Sequence, residues 1–159
     1  MSALPTISAS PGPRAIRAIR RILLATDLSS AAVGATDQAL ELTRALHADL
    51  LIVSVIDPSS PLSSVASSGP LPRMDQRRAA RELAARALVV KGRRLGVSVS
   101  FLVWEGEPGP AIVEAAESEA ADLIVVGTRG RNRVERWVLG SVSDHVVRHA
   151  PCPVLIVRG

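Results

Sequence analysis

DLIVVGTRGRNRVERWVLGSVS, Asp122 to Ser143, is the stretch that decides how this chain folds. An apolar run, Leu123 to Val126, stops at Gly127. Gly130 follows after two residues, and Gly140-Ser141 after nine more. A segment from Val142 to His149 then begins at once. The order is buried strand, glycine-bounded loop, helix start. Glycine lets backbone N–H groups come close to a ligand. The first turn of a helix leaves N–H groups unpaired beside a partial positive charge. An anion such as phosphate satisfies both. Ser141 and Ser143 add hydroxyls, and Arg129, Arg131, Arg133 and Arg136 add charge. A plain structural turn is the competing reading. The pattern is neither a Walker A loop, since no Gly-Lys-Ser/Thr occurs, nor GxGxxG.

Upstream, Arg21 to Thr26 (RILLAT) and Asp49 to Ile56 (DLLIVSVI) are short apolar runs suited to buried strands. Between them a helix is expected from about Ser30 to His47. Ser29 and Ser30 are candidate caps, and Ala32, Ala35, Ala39, Leu42 and Leu46 form its apolar face. Asp57 to Pro72 holds four prolines among serines and reads as a long loop. Arg73 to Leu95 is the next helix. Ala80, Leu83 and Ala87 form its expected stripe, Ala84, Leu88 and Leu95 extend it, and the other face is basic. Gly96 stands at the C-terminal cap.

Val97 to Trp104 (VSVSFLVW) opens with strict alternation, as an edge strand with one less-buried face would. A short helix follows from Ala111 to Ala121, with Pro110 as its first residue and Ile112, Ala115 and Ala116 inward. The last helix runs from about Ser141 to His149 and is stopped by Pro151 and Pro153. Val154 to Val157 is the last strand.

Five apolar strands alternating with amphipathic helices predict an α/β, doubly wound parallel sheet with helices on both faces. Ligands bind such sheets at the carboxyl ends of the strands, where the strand order switches. Asp27 ends the first strand and Gly127 the fourth. If those strands are neighbours, the two share one crevice. Asp27 could accept hydrogen bonds from a ribose, help hold a metal, or serve only as a loop-end carboxylate.

The 159 residues suit one domain, and 47% hydrophobic content supports a core. Phe101, Trp104 and Trp137 are the only aromatics, so that core is aliphatic. The +4 charge is almost wholly arginine, with Lys91 the only lysine. Without base-stacking aromatics on a strand face, nucleic acid is not the expected partner. Residues 1–18, rich in Ser, Pro and Ala, read as a disordered tail, leaving 19–159 as the domain. Cys152 is alone, so no disulfide framework or cysteine metal site is expected. No run is long enough to span a membrane, and the N-terminus lacks a signal-peptide core. The expected location is cytoplasmic. His145 and His149 lie four apart but without the HExxH glutamate, and no GxSxG occurs.

RRILLATDLS (Arg20–Ser29), DLLIVSVID (Asp49–Asp57), DLIVVGTRGR (Asp122–Arg131) and GSVSDHVVRHAPCPVLIV (Gly140–Val157) together resemble the universal stress protein family. The resemblance implies a five-stranded sheet of order 3-2-1-4-5. It also implies the family's nucleotide-binding branch, marked by G-x2-G-x9-G-S/T, which stands intact here. By that resemblance the triphosphate contacts are Gly127, Gly130, Gly140, Ser141, Val142 and Ser143. Asp27 lies near the ribose or a magnesium ion, the Val55 backbone lies at the adenine, Val126 lines the pocket and Thr26 flanks it. Ser54 stands where many members have histidine, and Ala25 where proline is frequent. The implied function is binding of ATP or another adenine nucleotide by a stress-response or signalling module with little or no turnover. The alternatives are a nucleotide-independent dimeric scaffold and a weak ATPase. Many members dimerise through the last strand, and a homodimer there is expected.

Overall fold

The structure is a computed structural model and describes residues 18–59, 73–128 and 140–158. The expected tail, most of the Asp57–Pro72 loop, and the glycine-loop residues Gly130, Trp137 and the four arginines lie outside the described residues. Strands β1 (Arg21–Ala25), β2 (Asp49–Ile56), β3 (Ser98–Glu105), β4 (Leu123–Gly127) and β5 (Val154–Val157) form one sheet of order β3-β2-β1-β4-β5. Every pairing is parallel. Helices α1 (Val33–Leu46), α2 (Met74–Arg94), α3 (Pro108–Ser118) and α4 (Ser141–His149) connect them. The expected order is therefore the observed one, with β3 at an edge and β1 beside β4.

Strand alternation sorts the core into two halves. Ile22, Leu24, Leu50, Ile52, Leu123 and Val125 face α1 and α2, where Ala35, Ala39 and Leu40 close the layer. Leu23, Leu51, Val53, Ile124 and Val126 face α3 and α4, meeting Ile112, Ala115, Ala116 and Val146. Cys152 packs at the margin of this second half, and burial pushes its thiol pKa up, with Asp122 adding to the effect.

Three local expectations need correction. The helix expected from Ser30 opens as a single 3-10 turn, Ser30–Ala32, before α1 begins at Val33. Pro108, not Pro110, takes the first helical position of α3. Both prolines fit there because the first turn needs no N–H donors. The third concerns α2. Ala80 and Ala87 are exposed and Leu83 is 72% exposed, whereas Ala85 and Gly92 are buried.

The packed stripe of α2 is Arg78, Arg81, Ala85, Leu88 and Gly92, one residue or about 100° round the helix from the expected one. Arginine stems can lie along an apolar surface while their heads find polar partners. Here those partners are near the strand ends. Arg77 Nη2 donates to Asp57 O at 3.1 Å, Arg78 Nη1 to Val103 O at 3.0 Å, and Arg78 Nη2 to Glu105 Oε1 at 2.9 Å. At the other end of α2, Gly92 lets the helix settle on Val99. Gly96 follows in a left-handed conformation (φ +74°), the one a side chain disfavours.

Candidate functional site

The crevice forms where β1 and β4, neighbours in the sheet, send their chains to opposite faces. Ala25 lies opposite Val53 on β2 and Val126 on β4. Thr26, just past the strand, still donates its N–H to Val53 O at 3.0 Å. Its hydroxyl oxygen accepts the Leu28 N–H at 3.0 Å. Asp27 Oδ1 accepts the Ser29 N–H at 2.9 Å. These two local bonds hold Leu28 in the left-handed region (φ +59°), which non-glycine residues seldom occupy. Ser29 does precede the 3-10 turn as its cap residue, yet its hydroxyl caps nothing and is buried without a partner among the described residues. The loop-end role foreseen for Asp27 is thus real. It uses one carboxylate oxygen in a bond to the backbone.

Across the crevice, α4 begins at the end of β4. Gly140 is its N-cap, with no side-chain cap bond. The N–H groups of Ser141, Val142 and Ser143 fall in the first turn, where intrahelical partners do not exist. Ser141 is exposed and Val142 half-buried. Ser143 is buried, and its hydroxyl donates to Gly127 O at 3.1 Å. That hydroxyl ties helix to strand, while the resemblance assigned Ser143 to phosphate. Only its backbone N–H remains suited to an anion.

The Gly140 backbone (φ −61°, ψ 156°) is one any residue adopts, and a Cβ built there meets nothing within 4 Å among the described residues. Among the described residues, neither packing nor conformation demands a glycine at this point. A phosphate approaching the first-turn N–H groups closely would.

Val126 is buried on the α3/α4 face, and Val55, half-buried, lies two residues beyond Val53 on the same face. Thr26, Asp27, Val55, Val126, Gly127 and the start of α4 therefore gather at one end of the sheet. Gly130 lies outside the described residues. Sequence reading missed one participant: Arg81, whose Nη1 donates to Asp27 O and, at 2.9 Å, to Ser54 Oγ. Ser54 is fully buried. The signal was present in the sequence. Arg77, Arg78 and Arg81, at helical spacing and in phase with Ala85 and Leu88, mark a face turned towards the sheet.

A concavity of about 480 Å³ lies at the opposite end of the strands, lined by Ala18, Arg20, Arg21, Asp49, Glu119, Ala120 and Asp122. It is broad and polar, and its acidic groups hold the fold together. Asp122 Oδ2 accepts the Arg20 and Arg21 N–H groups at 2.9 and 3.0 Å, and Glu119 pairs with Arg21 at 3.0 Å. Ligand sites of doubly wound sheets lie at the other end, so this concavity is not the candidate. Among the described residues no group of three His, Cys, Asp or Glu could hold a metal ion, and no helix is long and apolar enough to cross a membrane.

Comparison with known proteins agrees with this fold. A universal stress protein from Thermus aquaticus is 40% identical over 144 residues, 87% of this chain and 98% of that protein. One from Methanocaldococcus jannaschii is 33% identical over 140 residues, 87% of this chain and 82% of its own length. The crystal structure of a universal stress protein in complex with cAMP aligns with a TM-score of 0.67 at 26% identity. That alignment covers 89% of this chain and 98% of the other. The model of the universal stress protein family matches residues 18–158, and the chain belongs to that family.

Proposed function

We propose that this protein binds an adenine nucleotide, ATP in the first instance, and works as a stress-response or signalling module with little or no turnover. One observation carries the reading. Gly140 stands at the N-terminus of α4 on a backbone open to any residue, and among the described residues nothing fills the space where a side chain would lie. A phosphate drawn to the first-turn N–H groups would occupy that room. The relative crystallised with cAMP supports the adenine-nucleotide class. In this reading Gly127, Gly130, Gly140 and the Ser141, Val142 and Ser143 N–H groups receive the phosphates. Val55 and Val126 line the base end, and Thr26 flanks it. Asp27 meets the ribose or, with the phosphates, a magnesium ion, since magnesium commonly takes one or two carboxylates and completes its shell from phosphate and water.

Isothermal titration with ATP, AMP and ATP plus magnesium tests this. Saturable binding of ATP is expected. No heat and no retained nucleotide at millimolar ATP would leave the dimeric scaffold as the better reading. An Asp27→Ala effect shared by AMP and ATP marks the ribose role, and one seen only with magnesium marks the metal role.

A homodimer through β5 is part of the same proposal. Among the described residues the strand pairs only with β4, leaving its other edge open, and Leu155 on it is 36% exposed. Pairing about a two-fold axis would satisfy both edges. Light scattering should give a dimer, and Ile156→Pro, which removes a backbone donor, should yield monomer. A wild-type monomer, or a dimer indifferent to the change, refutes this interface.

A further inference from the structure

The crevice is built from β1, β2, β4 and α4, yet one of its fixed charges comes from elsewhere. Arg81 stands on α2, fifty-four residues beyond Asp27, and its half-buried side chain crosses the ends of β2 and β1. One nitrogen, Nη1, donates to two acceptors: the Asp27 carbonyl and the Ser54 hydroxyl, the latter at 2.9 Å. Ser54 is fully buried within β2. The guanidinium therefore fastens the turn after β1 to the neighbouring strand. It does so at the peptide of Asp27.

The turn it fastens cannot set its own shape cheaply. Leu28 is left-handed (φ +59°), a conformation that persists only where surrounding contacts hold it. The Thr26 N–H reaches Val53 O at 3.0 Å, and the Leu28 side chain packs on the core. Two further contacts are short-range: Thr26 Oγ1 to the Leu28 N–H and Asp27 Oδ1 to the Ser29 N–H. Both consume side-chain oxygens of the very residues that flank the crevice. Arg81 adds the contact that reaches the Asp27 peptide itself from a distant element, and the bond it makes there goes to the carbonyl.

We infer that Arg81 is a positioning residue for the nucleotide site: by clamping the Asp27 carbonyl to Ser54 it fixes the direction in which the Asp27 carboxylate meets its ligand. The inference rests on the adenine-nucleotide reading for its consequence, but the clamp itself does not. It also separates two tasks within one residue, the carbonyl of Asp27 taking the clamp and the carboxylate taking the ligand. A lysine in place of Arg81 keeps the charge but offers a compact ammonium on a different stem in place of the planar fork, so it should restore the clamp only in part.

The test uses the full-length protein with Arg81→Met, Arg81→Lys, Asp27→Asn and the double variant Arg81→Met/Asp27→Asn. Amide hydrogen exchange without nucleotide reads the clamp directly. Faster exchange at Leu28 and Ser29 in Arg81→Met, with the β1 and β2 amides unchanged, is expected. Unchanged exchange at those two amides overturns the clamp. ATP titration reads the consequence. Arg81→Met should weaken binding by about tenfold, Arg81→Lys by less, and the Arg81→Met penalty should vanish in the Asp27→Asn background, because contacting groups are non-additive. Equal penalties in both backgrounds, or wild-type affinity in Arg81→Met, overturn the positioning role. If Arg81→Met does not fold, Arg81→Lys carries the same cycle. A wild-type protein that binds no adenine nucleotide refutes the nucleotide reading and this consequence with it, and the exchange result then still decides the clamp.

Discussion

Gly92 and Gly140 lie in two regions that lack a side chain for opposite reasons. At the junction of α2 with β3, a Cβ on Gly92 would stand 2.3 Å from Val99 Cγ2, a distance real side chains do not reach. At the start of α4, a Cβ on Gly140 meets nothing within 4 Å among the described residues. The fold explains the first glycine completely. Among the described residues nothing packs against the second, and glycine is also a favoured N-cap residue. Gly34 is as open, so room alone does not mark a contact; Gly140 differs in standing at a helix N-terminus, where first-turn N–H groups suit an anion. The two positions thus set a packing role beside the proposed recognition role, and each can be tested by adding the atoms that are missing.

Gly92→Val should do the greater damage to the fold. Two extra methyls and a Cβ would drive into Val99, and overpacking of this kind costs about 1–3 kcal/mol, occasionally more. The urea midpoint should fall accordingly, and a midpoint equal to wild type would mean that α2 can slide off β3 at little cost. Gly140→Val should do the reverse. Its thermal midpoint should fall only modestly, by the loss of a favoured N-cap residue, while ATP affinity drops by roughly tenfold or more, about 1.4 kcal/mol. Undiminished ATP affinity would erase the contrast between the two glycines. Ser143→Ala should have the smallest effect. It removes the hydroxyl bond to Gly127 O, a loss of roughly 0.5–1.5 kcal/mol in stability. The measured change should appear in denaturation rather than in ATP affinity beyond what a loosened α4 causes. A selective loss of affinity would put the hydroxyl, not only the N–H, on the phosphate.

The strands were legible because each is a short apolar run bounded by Asp, Gly or Pro. β2 and β5 match their expected limits, and the largely buried β1 and β4 match the buried strands read there. The alternation in β3 correctly gave it an edge. Helix α2 resisted the same reasoning because counting apolar residues treats arginine as outward-facing. Three arginines of α2 turn instead towards carbonyl oxygens near the ends of β1, β2 and β3, and the helix rotates to follow them. The candidate site was legible where residue identity carries it, as at Asp27 and Gly140. The Arg81 contact was legible only in part: the arginine spacing marks the face of α2 turned to the sheet, but not the partner 54 residues away. The bond that the Ser143 hydroxyl makes to Gly127 O was not legible for a related reason: sequence shows which groups are available, but not which ones the fold has already used.

The placement of β1 has a consequence for how the chain reaches this state. β1 pairs with β2 through a single intervening helix, so that contact is close in sequence. Its other neighbour is β4, and the bond from the Arg21 N–H to Asp122 spans 101 residues. Pairings over such separations must bear the entropy of closing a long loop before they are rewarded, and they slow folding. During synthesis β3, β2 and β1 emerge together, and one side of β1 has no partner until β4 follows. The rate of folding should therefore respond most to β4, and the strand that completes the crevice is also the one that closes the longest loop in the sheet.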